Sequence, residues 1–160
     1  LDLTALAYAT FVAEVIRELL PEGVADEVFF HKLAAILTAM ETRNPRVAAL
    51  AAVLQTLAAA GLGQSYESCL HCGVKIMGDA FFHAREGGAL CTDCHTADAA
   101  DFPEELRLLL VALEQLDWTH PVPLQLRGGM LMAAETLVLA HVQELVGHPL
   151  RSLSFLAQLC

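Results

Sequence analysis

The chain is poor in aromatic residues, in positive charge and in long apolar runs. Aromatics make up 6% of its 160 residues, with one Trp, while 56% are hydrophobic. The apolar content is therefore mostly Leu and Ala, which favours helices. Nine Lys and Arg face 19 Asp and Glu, a formal net charge of −10. A chain this acidic is a poor nonspecific DNA binder, so any nucleic-acid contact needs a local basic patch or a part not present here. The apolar stretch 5–13 is too short to cross a bilayer and stops at Glu14, so no membrane span is expected. The start lacks a basic region, and no signal peptide is expected. There is no Gly-rich phosphate loop and no G-x-S-x-G elbow. A di-metal helix bundle needs Glu-x-x-His twice, and this chain has none. His141 shares a helix face with Glu144, and reads as a half-buried histidine. The expectation is a binding protein without turnover, not an enzyme.

Five cysteines are present, and four stand in two pairs: Cys69-Leu70-His71-Cys72 and, 18 residues on, Cys91-Thr92-Asp93-Cys94. This is the spacing of a four-thiolate zinc site. Two residues between cysteines let a tight turn aim both sulfurs at one point, and two such turns supply a tetrahedral shell for Zn²⁺. Gly73 follows the first pair, where a positive φ closes the turn. Residues 80–83 and 89–91 read as short strands joined through Arg85-Glu86-Gly87-Gly88. Residues 66–96 are thus a zinc ribbon. A closed four-sulfur shell leaves no open position for water, so one structural Zn²⁺ is expected. Other readings stay open. Cys91 to His95 also fits C-x-x-C-H, the haem attachment motif, and two disulfides suit a secreted chain. His71, His83 and His95 either replace a thiolate or decorate the loops. Zinc on four thiolates would make the net charge about −12. A zinc site beside the odd Cys160 points to a reducing cytoplasm.

Around the ribbon the pattern is helical. A first helix spans 3–20, with Leu3, Leu6, Ala7, Val12, Val15, Ile16 and Leu19 as its apolar stripe and Glu14 off it. Asp26 caps a second, to about Glu41, burying Phe29, Phe30, Leu33, Ile36, Leu37 and Met40. Asn44-Pro45 opens a third, ended by Gly61. After the ribbon, Asp101 and Pro103 open a helix to about Leu116. Pro121 and Pro123 open a longer one to Val146. Its Gly128-Gly129 marks a kink, a late start or a close backbone approach. Ser152 caps a last helix, 153–159. Short loops argue for an antiparallel helical array. The expected fold is mainly α: one helical domain over 1–160 with the β-hairpin of the ribbon inserted. The stretch 93–117 carries seven carboxylates against Arg107 alone, either a solvated face or a surface that repels DNA.

The closing run Val146-Gly147-His148-Pro149-Leu150-Arg151-Ser152-Leu153-Ser154-Phe155-Leu156 resembles the end motif of the bacterial RecO family: Gly-x-Pro-Leu-x-Ser, then an aromatic-aliphatic pair. Leu19-Leu20-Pro21-Glu22, followed by Phe29 and Leu33, is similar, as is a helix ended by Gly61 just before a four-cysteine ribbon. The likeness extends over nearly the whole chain. It implies a DNA-repair recombination mediator that binds single- and double-stranded DNA, RecR and SSB, anneals strands and helps load RecA, in the cytoplasm and at the nucleoid during repair. Members begin with an OB-fold of roughly 80 residues. No such segment precedes Leu3, so this chain is expected to be the helical, partner-binding region of a longer protein, with DNA contact mainly through the OB-fold. The alternative is an unrelated zinc-stabilised helical adaptor.

The resemblance also supplies a partner for two arginines. SSB's acidic-hydrophobic tail needs an apolar slot edged by guanidinium groups. Arg43 and Arg46 stand at the start of the third helix, ahead of Val47, Leu50, Leu54 and Leu57. The other reading makes those four residues core and the arginines merely exposed. For DNA, Lys75 and Arg85 in the ribbon are the candidates. They either meet phosphates or offset the thiolate charge.

Overall fold

The structure, a computed structural model, describes residues 2–23, 27–63, 65–120 and 126–159. Asp26, Pro121, Pro123 and Cys160, assigned roles above, lie outside the described residues. Six helices and a three-stranded antiparallel sheet make up the described fold: α1 Leu3–Leu19, α2 Glu27–Thr42, α3 Pro45–Ala59, β1 Ala80–His83, β2 Gly88–Leu90, β3 Ala100–Phe102, α4 Glu104–Glu114, α5 Gly128–Val146 and α6 Arg151–Leu159. It is the mainly α array with an inserted hairpin that composition and spacing predict.

Helix α3 is the axis of the array. Every residue from Ala48 to Leu57 is buried. Its run of Ala and Leu has no polar face, which suits a helix surrounded on all sides. Small side chains let α1, α2, α4 and α5 all pack against it. Asn44 starts it as expected: its Oδ1 accepts from the N–H groups of Arg46 and Val47 at 3.0 and 3.4 Å. The two polar side chains on its buried face are satisfied. Thr56 Oγ1 donates to Ala52 O at 2.8 Å, and Gln55 donates to Leu116 O at 2.9 Å while accepting from Trp118 Nε1 at 2.6 Å.

The outer helices depart from the expected stripes. In α2 only Ile36, Ala39 and Met40 are buried. Phe30 and Leu37, expected inside, are 67% and 41% exposed, and Val28 is 78% exposed. This helix packs on α1 and α3 from one side, so a narrow i, i+3, i+4 stripe near its C-terminal end suffices. In α1, Leu3 and Leu6 are also exposed, while Glu14, placed off the stripe, is buried. The reason is α6. Glu14 accepts from the N–H groups of Arg151 and Ser152 at 2.9 and 2.8 Å, and from the Ser152 hydroxyl. A carboxylate from a distant helix thus caps α6, where the orphan N–H groups and the helix dipole favour an anion. Ser152, expected as the cap, sits inside the first turn instead. Phe155 of the closing motif is 39% exposed, whereas Leu150 is buried.

Two further boundaries differ. Asp101 lies in β3, not in a helix start, and Asp79 Oδ1 caps α4 by accepting from Glu104 N–H at 3.0 Å. Gly128-Gly129 is a late start: α5 begins there, and a Cβ on either glycine would meet nothing within 4 Å. By length and composition α5 is the one helix among the described residues able to cross a membrane. Here its Leu131, Ala134, Leu137, Val138, His141 and Val142 are buried, and it packs on α1, α3 and α4.

Candidate metal centre

The ribbon sheet has the order β2-β1-β3. Strand β1 pairs with β2 through Phe81 opposite Leu90, and with β3 through Phe81 opposite Asp101. The third strand lies beyond Thr96 and has too little alternation to be seen in the sequence. Phe82 and Phe102 meet edge to face at 5.4 Å, and Tyr66 meets Phe102 at 6.0 Å. These rings join one continuous core with the helices.

Two knuckles present the cysteines. The first is closed by Cys69 N–H donating to Val74 O and Gly73 N–H donating to Cys69 O, both at 2.9 Å, with Gly73 at φ 73°. The second follows β2, with Cys94 N–H donating to Cys91 O at 3.1 Å. Leu70 N–H donates to Ala89 O at 2.9 Å and so docks the first knuckle on the hairpin.

The four Sγ atoms all lie within 4.8 Å of one another, and none is in a disulfide. Sulfurs at 2.3 Å around a tetrahedral zinc stand about 3.8 Å apart. Cys72 Sγ and Cys91 Sγ are 3.7 Å apart. Burial pushes the Cys69 thiol up, but N–H groups of Cys72, Cys91 and His71 aimed at its sulfur outweigh this and bring it to about 6. Contacts with the Cys91 and Cys72 sulfurs push Cys94 up to about 12. Once one thiolate has formed, its neighbours resist ionisation, and a divalent cation is what lets all four ionise together. The residues present therefore fit a metal ion. The cluster also brings Cys69 and Cys72 to the C-x-x-C-H cysteines, which haem attachment would leave unused. The histidines stay outside it: His95 stacks on Phe81 at 4.2 Å, and His71 meets Glu86 at 3.1 Å.

Two buried side chains seat the ribbon on the helices. Arg107 of α4 is 3% exposed and donates to Tyr66 O at 3.3 Å and Gly78 O at 3.1 Å. His141 of α5, at 4% exposed, is deeper than the half-burial expected, and its Nδ1 lies 2.6 Å from Ala84 O.

Residues 1–154 match the family described as Recombination protein O C terminal. The chain belongs to this RecO C-terminal family. It is 38% identical over 141 residues to the DNA repair protein RecO of Anaeromyxobacter sp. (strain K), covering 87% of this chain and 51% of that protein. Over 157 residues it is 33% identical to the DNA repair protein RecO of Bifidobacterium animalis subsp. lactis (strain AD011), covering 93% and 64%. Over 160 residues it is 30% identical to that of Myxococcus xanthus (strain DK1622), covering 98% and 64%. The chain thus spans between about half and two thirds of the length of these curated relatives.

In this RecO-family chain the candidate arginines face different hollows. Arg46 edges an apolar groove of about 370 Å³, between α1, α3, α5 and α6, floored by Phe11, Leu50, Val53 and Val138. It holds Glu135 of α5 in a two-pronged pair at 2.6 and 2.5 Å. Arg43 lies beside Thr38 and Thr42, 5.9 Å above the Trp118 ring. Leu50, Leu54 and Leu57 are buried core, and Val47 is half-buried. Of the ribbon bases, Lys75 is exposed opposite Ser68, and Arg85, 78% exposed, reaches Glu144 at 4.0 Å.

Proposed function

We propose that this chain is the helical and zinc-binding region of a recombination mediator in bacterial DNA repair, a scaffold that holds partners and catalyses no reaction. The family match over residues 1–154 carries the reading, with relatives named DNA repair proteins. In this reading one Zn²⁺ on Cys69, Cys72, Cys91 and Cys94 is structural. It stiffens the ribbon, and Arg107 and His141 pass that rigidity to the helices. A closed sulfur shell supports the absence of turnover. The protein works in the cytoplasm, where thiols stay reduced.

Its partners are RecR, SSB and DNA. The groove beside Arg46 takes the acidic-hydrophobic tail of SSB, its apolar floor receiving the aromatic side chain, and the tail carboxylate competing with Glu135 for the Arg46 guanidinium. The net charge supports a division of labour in which DNA is held mainly by the remainder of the protein. With RecR, the whole supports strand annealing and RecA loading. The test is titration of a labelled SSB tail peptide against the full-length protein and its Arg46→Ala variant. Loss of affinity in the variant is expected. Equal affinity removes Arg46 from the site, and no binding to either protein removes the partner.

A further inference from the structure

The joint between the first knuckle and the hairpin turn carries metal-ligand side chains that the four sulfurs leave unused. His71 Nε2 lies 3.1 and 3.2 Å from the two carboxylate oxygens of Glu86. His83, at the end of β1, is 8% exposed. Its Nε2 lies 3.4 Å from Asp98 Oδ2, and its Nδ1 lies 3.4 Å from Glu86 Oε1. That Nδ1 is buried and makes no hydrogen bond. A neutral imidazole carries one N–H. With the N–H on Nε2, on the Asp98 side, the Nδ1 lone pair is left without a donor, and a carboxylate oxygen stands 3.4 Å away. Two negative ends this close repel unless a positive charge lies between them.

We propose that His83 Nδ1, His71 Nε2 and Glu86 form a second site for a divalent cation of the zinc class, weaker than the four-sulfur site. Asp98 is its positioning residue. A ligating imidazole characteristically gives its other N–H to a carboxylate, and Asp98 stands in that place. Two of the three spacings suit nitrogen and oxygen donors. Ligands about 2.0–2.1 Å from a tetrahedral ion stand about 3.3–3.4 Å apart. The His71–Glu86 and His83–Glu86 edges are 3.1 and 3.4 Å. The third edge, between the two imidazoles, is open: their centroids are 6.4 Å apart, and among the described residues the four sulfurs are the one group of such ligand atoms within 4.8 Å of one another. Occupation therefore requires the His71 ring, its side chain 39% exposed, to turn toward His83. That rearrangement makes the site weaker and exchangeable. A bound ion ties the hairpin turn to the first knuckle, beside Gly87, where α5 meets the ribbon.

The competing occupant is a proton, which would make His83 an imidazolium between Glu86 and Asp98. Titration with Co²⁺ separates the two. The full chain, its cysteines loaded with one equivalent of zinc, is dialysed against Co²⁺ at neutral pH, and bound ions are counted while the visible spectrum is recorded. One further Co²⁺ per chain is expected, with ligand-field absorption and no thiolate charge-transfer band. Asp98→Asn should weaken its binding about 10- to 100-fold. Glu86→Gln, at a side chain 43% exposed, should abolish binding while zinc content and circular dichroism stay unchanged. Retained binding in His95→Asn marks the site as specific. Failure of the wild type to take a second Co²⁺ overturns the proposal in favour of the proton. Equal affinity in Glu86→Gln also overturns it.

Discussion

His141 of α5 fills the space that a side chain at Gly87 would need. A Cβ there would lie 2.2 Å from His141 Nε2, and Gly87 has φ +76°. Both space and backbone therefore require glycine in the hairpin turn. Gly87→Ala should cost more than the roughly 1–2 kcal/mol of a left-handed alanine, because a ring must also move. His141→Ala removes the obstacle but leaves the Ala84 carbonyl unpaired. The double variant should be less destabilised than the sum of the singles by at least about 1 kcal/mol, read from urea melts. Simple additivity would show that the two residues do not compete for one space.

The same histidine gives the stability curve a pH dependence. Burial pushes the His141 pKa down, against the Ala84 carbonyl and the charge of Glu144. The Nδ1–H therefore donates to Ala84 O, and the ring is neutral. The unfolded chain takes up a proton near pH 6.5 and the folded chain does so only at lower pH. The stabilisation is complete above about pH 6.5 and is lost as pH falls through the folded value. Denaturant melts across this window should slope in the wild type and flatten in His141→Gln. Parallel curves would mean that another group sets the slope.

The cysteine spacing made the four-cysteine cluster and its hairpin legible, because C-x-x-C fixes the knuckle geometry locally. Asn44-Pro45 and Gly61 marked α3 for the same reason: caps are local chemistry. What could not be read were contacts between distant segments. Glu14 looks like a surface residue until α6 arrives with its N–H groups. Arg107 looks like a lone base in an acidic stretch until the carbonyls of Tyr66 and Gly78 surround it. Phe30 and Phe155 look like core because an apolar ring does not reveal whether a helix packs on one side or two. Strand β3 is three residues long and carries no pattern beyond Phe102. Arg46 edges a groove, and its partner Glu135, 89 residues away, carries no mark in the sequence.

Loss of metal should loosen the ribbon before the helices. Cys72→Ser or Cys91→Ser, or a strong chelator under reducing conditions, should lower the melting temperature and release zinc. Removing a ligand from a structural zinc site forfeits part of a binding free energy on the order of 10 kcal/mol, so partial retention of the wild-type melt is not expected. Elemental analysis of fresh reduced protein without zinc would sink the metal assignment. Haem absorbance in place of zinc would revive the C-x-x-C-H reading.

Helix α6 depends on Glu14 more than on its own aromatic ring. The carboxylate accepts three hydrogen bonds from Arg151 and Ser152. Burial raises its pKa, but the Ser152 and Arg151 bonds outweigh that and hold it below the usual carboxylate value. Hydrogen bonds to a charged acceptor contribute about 1.5–3 kcal/mol each, not additively, so Glu14→Ala should cost about 2–4 kcal/mol. Phe155→Ala should cost about 1–2 kcal/mol, below the range for a fully buried ring. The Glu14 contribution is complete above about pH 4.3 and is lost as pH falls through its folded value. A larger loss for Phe155→Ala than for Glu14→Ala would reverse this ranking.

Lys75 and Arg85 set the last test, whether the ribbon touches DNA. Both are exposed, and both sit on the ribbon side of the joint with the helices. Arg85 is loosely engaged: its Nε lies 4.0 Å from Glu144, with both side chains at least half exposed. Such a pair contributes little to stability, so replacing Arg85 should leave the melt nearly unchanged. If the two bases meet phosphates, each releases about 0.9 counterion on binding duplex DNA. The Lys75→Ala/Arg85→Ala variant should then bind duplex DNA more weakly and flatten the logarithmic salt dependence by about two units of slope. If they only balance the thiolate charge, affinity and slope stay as in the wild type, and the zinc is released more readily instead. Wild type and variant are to be titrated side by side over the same salt series, so that the difference in slope, and not the absolute affinity, is what is read. An unchanged slope together with unchanged zinc retention would remove both residues from either role.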